Sequence, residues 1–127
     1  MMTENVMLQN AIRINNTGEV LISRHRHDFV VSSCDKFYLD GGTDYQRIGG
    51  KQSEYTELTI YINDPLEKRV EHALWGTYGK EGNGPLTWVF LKDCETSHLE
   101  AILNTHVALA TWIQEVIKEI LRNRNES

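Results

Sequence analysis

The sequence predicts an α+β fold, an antiparallel β-sheet followed by two C-terminal α-helices, and three observations carry that prediction. As far as about residue 93, short segments rich in Ile, Val, Tyr and Thr alternate with clusters of Gly, Asn and Asp, the texture of strands joined by turns. Beyond Ser97 the apolar spacing changes to three and four, the period of a helix packed along one stripe. Strands first and helices last argue for helices gathered on one side of an antiparallel sheet. A length of 127 residues suits a single domain over 1–127, mainly β over 1–93 with two helices over 97–124.

Each element has its own signal. Asn10–Ile14 and Glu19–Ser23 are Ile- and Val-containing segments on either side of Asn15-Asn16-Thr17-Gly18, residues suited to a tight reversal, so they read as a β-hairpin. A third strand is expected over Asp28–Ser33 and a fourth over Lys36–Asp40, running into Gly41 and Gly42. Residues 41–54 have glycine pairs near both ends and little periodicity, and read as a loop. Over Tyr55–Asn63 the pattern alternates with a period of two, which predicts one half-buried strand. The stretch 64–75 stays open between a short helix, capped by Asp64 with Pro65 at its first position, and no helix at all. Four glycines in "GTYGKEGNGP" predict an open turn between two extended segments, the second being Leu86–Leu91. Ser97 and Glu100 form a capping-box pattern, predicting a helix through about Leu103 that Asn104 and Thr105 interrupt. From Val107 the residues Leu109, Trp112, Ile113, Val116, Ile117, Ile120 and Leu121 predict a second helix, with Arg122 and Arg124 where positive charge suits the helix dipole.

Composition narrows the partners. A formal net charge of −5 argues against a long nucleic acid, because polyanion binding needs an excess or a stripe of Lys and Arg. Any anion site is therefore expected to be local and small. Two cysteines, Cys34 and Cys94, are too few for a disulfide framework and read as reduced thiols. The first ten residues lack the charged and apolar regions of a signal peptide, and no apolar run approaches a bilayer span, so a cytoplasmic protein with no membrane partner is expected.

The candidate chemistry gathers in "SRHRHDFVVSSCDKFYLDGG", residues 23–42. In an extended chain Arg24, Arg26 and Asp28 share one face and His25 and His27 the other. Three readings stand side by side. His25 and His27 at that spacing can ligate one metal, with Asp28, Cys34, Asp40 or Asp44 nearest in sequence for a third ligand. Arg24 and Arg26 can form an anion clamp, since a guanidinium fork matches phosphate oxygens. Or the hexad is an exposed, charged strand end. Following it, Gly41 and Gly42 offer amide donors or a plain turn, and Tyr45 and Arg47 have the chemistry to stack on and bond a nucleotide. The glycine-rich stretch with Lys80 fails the phosphate-loop pattern, although Trp75, Tyr78 and Trp88 around it offer aromatic faces for a base, a core or a subunit contact. Trp112 on the C-terminal stripe leaves room for helix pairing between subunits. Cys94, with His98 its nearest potential partner, reads as a structural thiol. No complete catalytic set is legible, which points to a protein that is not an enzyme and takes no cofactor.

Two stretches carry a family resemblance. Residues 10–50, with Arg26-His27-Asp28-Phe29 and Asp40-Gly41-Gly42-Thr43-Asp44-Tyr45, resemble the N-terminal part of small phage proteins that bear a zinc-ribbon-like motif. Residues 75–103, from Trp75-Gly76-Thr77 to His98 and the following Ala101-Ile102, are similar to their second half. The Cys-x-x-Cys of those proteins falls here on Ile14 and Thr17 and their second pair on Ser32 and Cys34, so three of four presumed zinc ligands are absent and the hairpin is expected to hold without metal. A β-sheet followed by two terminal helices also resembles the phage anti-Thoeris proteins, which sequester cyclic nucleotide immune signals. That resemblance implies a homo-oligomer, a dimer or higher such as a hexamer, in the host bacterial cytoplasm. It also implies capture of cyclic ADP-ribose isomers, and of small cyclic di- or trinucleotides, without cleavage. The ligand-binding residues expected on this chain are Arg24, His25, Arg26, Asp28, Tyr45, Arg47, Trp75 and Tyr78. The rival readings are a metal-dependent phosphoesterase built on His25, His27 and Asp28, and an interaction protein derived from a zinc ribbon.

Overall fold

The computed structural model describes residues 5–79 and 81–126. They form a mixed α and β fold with antiparallel pairing throughout and, among the described residues, three α-helices, two of them near the C-terminus. The contacts gather into two compact units, one ending at Asp64 and the other beginning at Pro65.

In the first unit the longest strand is β1 (Met7–Ile14), buried at every position except Leu8 and Arg13. It pairs antiparallel with β2 (Val20–Ser23), β6 (Tyr55–Glu57) and β7 (Ile60–Tyr61). The β1–β2 hairpin closes as its turn residues predict: Ile14 N–H donates to Glu19 O and Gly18 N–H to Ile14 O, both at 2.8 Å. The alternation over Tyr55–Asn63 does not make one strand. It breaks at Leu58 and Thr59, both buried, where Leu58 N–H donates to Ala11 O and the Gln9 side chain donates to Leu58 O, and β1 slips in register between Met7 and Gln9.

A second sheet holds β3 (Val30–Val31), β4 (Tyr38–Asp40) and β5 (Arg47–Gly49) in that order. The third strand is thus far shorter than Asp28–Ser33, and β5 lies inside the stretch expected to be a loop. Val30, Leu39 and Ile48 turn inward onto Ile12, Ile14, Leu21 and Phe37, the apolar centre of this unit. Because side chains alternate across a strand, Val31, Tyr38, Asp40, Arg47 and Gly49 share the opposite face.

Ile14 itself is 2% exposed in that apolar centre. The turns at 15–19 and 32–37 are tied by a carboxylate: Glu19 Oε1 and Oε2 accept from Ser33 N–H at 3.1 and 3.2 Å, and Oε2 also accepts from Ser33 Oγ at 3.1 Å. The second turn is closed by Asp35 N–H donating to Ser32 O and by Phe37 N–H donating to Ser32 Oγ, with Asp35 in the left-handed region at φ 63°.

The second unit opens with α1 (Leu66–His72), so the helix over 64–75 does form, but its cap position is Pro65 and not Asp64: there is no side-chain capping bond, and the Asp64 carboxylate accepts from Tyr61 N–H at 2.7 Å. A hairpin of β8 (Leu74–Thr77) and β9 (Thr87–Phe90) follows, so the glycine-rich stretch does join two extended segments. Then come α2 (Thr96–Thr105) and α3 (Thr111–Asn125), with Val116, Ile117 and Ile120 forming the buried stripe of α3. Three boundaries differ from the sequence reading. Ser97 is not the cap of α2, which begins at Thr96 after Glu95 and has no side-chain capping bond. Arg124 accounts for the shift: it donates to the carbonyls of Lys92 and Cys94 and to Thr96 Oγ1, at 2.8 to 3.0 Å, and so fixes where the chain turns into the helix. Asn104 and Thr105 belong to α2, and Val107, fully exposed, precedes α3 instead of opening it.

Candidate functional site

The geometry begins with two polar residues inside the first unit. Asn10 on β1 is 0% exposed and Ser23 at the end of β2 is 1% exposed, so their polar atoms must be satisfied by protein. Asn10 Nδ2 donates to Gly42 O at 2.8 Å, Asp40 O at 3.2 Å and Tyr45 O at 3.3 Å, while its Oδ1 accepts from Gln46 Nε2 at 2.8 Å. Ser23 Oγ donates to Asp28 O at 2.6 Å and accepts from Gly42 N–H at 2.8 Å. One buried amide and one buried hydroxyl therefore bind the segments 23–28 and 40–46 to each other and to the sheet.

Segment 24–28 is not extended, which corrects the expectation that its Arg and His side chains alternate between two faces. It is a turn: Asp28 N–H donates to His25 O, the Asp28 carboxylate accepts from Arg24 N–H at 2.8 Å, and His27 takes φ 67°. The cause is local competition, because Ser23 and Asp28 side chains offer the backbone hydrogen bonds that a strand partner would otherwise supply. Gly42 is required at the meeting of the two segments, since a Cβ there would overlap the backbone of His25 and its φ is +56°.

On this frame stand six of the eight expected binding residues: Arg24, His25, Arg26, Asp28, Tyr45 and Arg47. Arg47 Nη2 donates to Asp40 Oδ2 at 2.8 Å, and its guanidinium lies 5.6 Å from the centre of the Tyr45 ring. Tyr45 OH also donates to Asp40 Oδ2, at 3.4 Å, so the phenolic oxygen accepts from His27 Nδ1 at 3.2 Å. Arg47 is the main reason that the Asp40 carboxyl is held below its ordinary range. Asp40 Oδ1 is buried without a hydrogen-bond partner. Arg26 and Asp44 form an open ion pair at 3.9 Å, both largely solvated. The other two expected residues lie in the second unit: Trp75 is half-buried with its ring edge-on to His106 at 5.1 Å, and Tyr78 is exposed on the hairpin.

Among the described residues no group of three His, Cys, Asp or Glu side chains is placed to hold a metal ion. Cys34 is exposed and its thiol is pulled below the ordinary value, chiefly by its hydrogen bond with Ser32. Cys94 is buried, and burial pushes its thiol up. It lines a cleft of about 710 Å³ in the second unit together with Thr77, Val89, Phe90, Asp93 and His98. Also among the described residues, no helix is long and apolar enough to cross a membrane.

Residue-type reasoning passed over Asn10 and Ser23, which build the frame, and named Asp40 only as a possible metal ligand. The signal available was the polar pair Gln9 and Asn10 set among Met7, Leu8, Ala11, Ile12 and Ile14. Residues 6–50, which contain this whole frame, are similar to a family described as Domain of unknown function (DUF7695). No curated protein and no solved structure matches the chain.

Proposed function

We propose that this is a phage-encoded anti-defence protein that captures small cyclic nucleotide immune signals, cyclic ADP-ribose isomers or cyclic di- and trinucleotides, and holds them uncleaved. The observation that supports the reading is the fastening of segments 23–28 and 40–46 over Asn10 and Ser23. It presents Arg24, Arg26, Arg47 and Tyr45 on a preorganised frame, so little ordering is left for the ligand to impose. Arg47 spends one N–H on Asp40 and has others to offer a phosphate. The Arg26–Asp44 pair is exposed, and such pairs contribute about 0–1 kcal/mol, little enough for a phosphate to displace the carboxylate. Assembly into a homo-oligomer in the host cytoplasm would enclose the ligand between copies and strengthen these bonds by excluding water.

Calorimetry against a panel of cyclic ADP-ribose isomers and cyclic di- and trinucleotides tests the reading. One member of the panel binds, and Arg24→Ala weakens it about tenfold to a hundredfold, the range of a lost charge-assisted hydrogen bond, with the circular dichroism unchanged. Ligand recovered after heat denaturation is intact. No heat from any member at high concentration refutes capture, and a cleaved product favours the phosphoesterase instead.

A further inference from the structure

Three large apolar side chains lie exposed on the outer face of the β3–β4–β5 sheet or beside it: Phe29 at 56%, Val31 at 44% and Tyr38 at 37%. They are contiguous. The Phe29 and Tyr38 rings stack with centroids 5.1 Å apart and planes 28° from parallel, and Val31 pairs with Tyr38 across the sheet. Tyr38 is held flat by its other neighbour: it pairs with Gly49, and a Cβ there would overlap the Tyr38 ring. The glycine thus gives the Tyr38 ring a backbone floor, and the exposed Phe29 ring stacked on it extends the aromatic surface.

The next rung on this face is Asp40 paired with Arg47. Arg47 and Gly49 are two residues apart on β5, about 7 Å along the strand. That is roughly the reach of a nucleotide from base through ribose to phosphate, and Asp40 fixes the guanidinium at its end of it. A patch of three side chains is too small to seat a helix or a second sheet, but two stacked rings beside a guanidinium are the elements of a nucleotide site.

We propose that Phe29 and Tyr38 form the nucleobase platform of the capture site, with Arg47 as the adjoining phosphate donor. The proposal rests on the capture reading and replaces Tyr45, Tyr78 or a Trp as the base-stacking element. Stacking is tolerant of base identity, so the site discriminates by phosphate number and placement more than by base.

Titration of the full chain with adenosine, which has a ring and no phosphate, and with cyclic di-AMP, followed by NMR, tests this. Adenosine at millimolar concentration shifts the ring protons of Phe29 and Tyr38 and the amide of Gly49. Cyclic di-AMP shifts the same resonances at lower concentration. Phe29→Leu keeps apolar bulk and loses the ring, and Gly49→Ala tilts Tyr38; each weakens cyclic di-AMP binding by roughly tenfold to a hundredfold. Should cyclic di-AMP bind while both rings stay silent to it and to adenosine, the platform is wrong and capture stands. Should adenosine move the rings while cyclic di-AMP binds no more tightly, Arg47 is not the adjoining phosphate donor and the proposal fails at that residue. Silence of both rings to both probes overturns the platform, while capture is decided by the calorimetric panel.

Discussion

Asn10→Ala is the substitution that most directly tests the frame. One side-chain amide faces three carbonyls, those of Asp40, Gly42 and Tyr45, but it has two hydrogens and can satisfy two of them fully. Its removal leaves at least two buried acceptors without a donor, at about 1–3 kcal/mol each. Water admitted into the space vacated by the amide recovers part of that, so the expected loss is about 2–4 kcal/mol, a large share of the stability of a small unit. The three tryptophans all lie beyond Pro65, so their fluorescence reports on the second unit. Hydrogen exchange of peptides covering 38–49 in increasing urea reads the first unit directly. Asn10→Asp removes the donor as well and turns acceptors toward acceptors, so it is expected to be at least as harmful. Either variant within about 0.5 kcal/mol of the parent chain, inside the scatter of ordinary surface substitutions, refutes the account.

Two further predictions concern titration. Asp40 has its carboxyl depressed in the folded state, so its contribution is complete above the ordinary value of 3.8 and is lost as pH falls through the lower folded value. Asp40→Asn removes that acid-side loss, and exchange-monitored stability of the first unit of the two proteins running parallel below about pH 4 counts against the Arg47–Asp40 pairing. The two thiols are expected to separate in rate: Cys34, exposed and with its thiol lowered by Ser32, reacts first with a disulfide reagent, and Cys94, buried and raised, waits for unfolding. Ser32→Ala slows Cys34, and equal rates for both cysteines in the folded protein contradict the assignment.

Local chemistry was legible where one signal dominated. The hairpin at Ile14–Glu19 followed from Asn, Thr and Gly in a row, and the stripe Val116, Ile117, Ile120 followed from its spacing. Where side chains compete with the backbone, pattern failed. Arg24–Asp28 alternates like a strand, yet Ser23 and Asp28 fold it into a turn. Arg47–Gly49 looked like a loop because glycine is a poor strand former, and only the overlying Tyr38 shows why a glycine is wanted there. Ser97 and Glu100 satisfied a capping pattern, but the start of α2 is fixed by Arg124, some thirty residues away in sequence, a long-range cause that no local window contains. The candidate site was half legible for the same reason: its charged rim is a run of letters, whereas Asn10 and Ser23 matter through partners on other strands.

The bond between Glu19 and Ser33 has a practical outcome. Turns secured by sulfur and zinc come apart under chelation, whereas a hydrogen-bonded clasp offers a chelator nothing to remove. The fold of the N-terminal half of this protein is therefore expected to be insensitive to EDTA, with Cys34 remaining its oxidisable side chain.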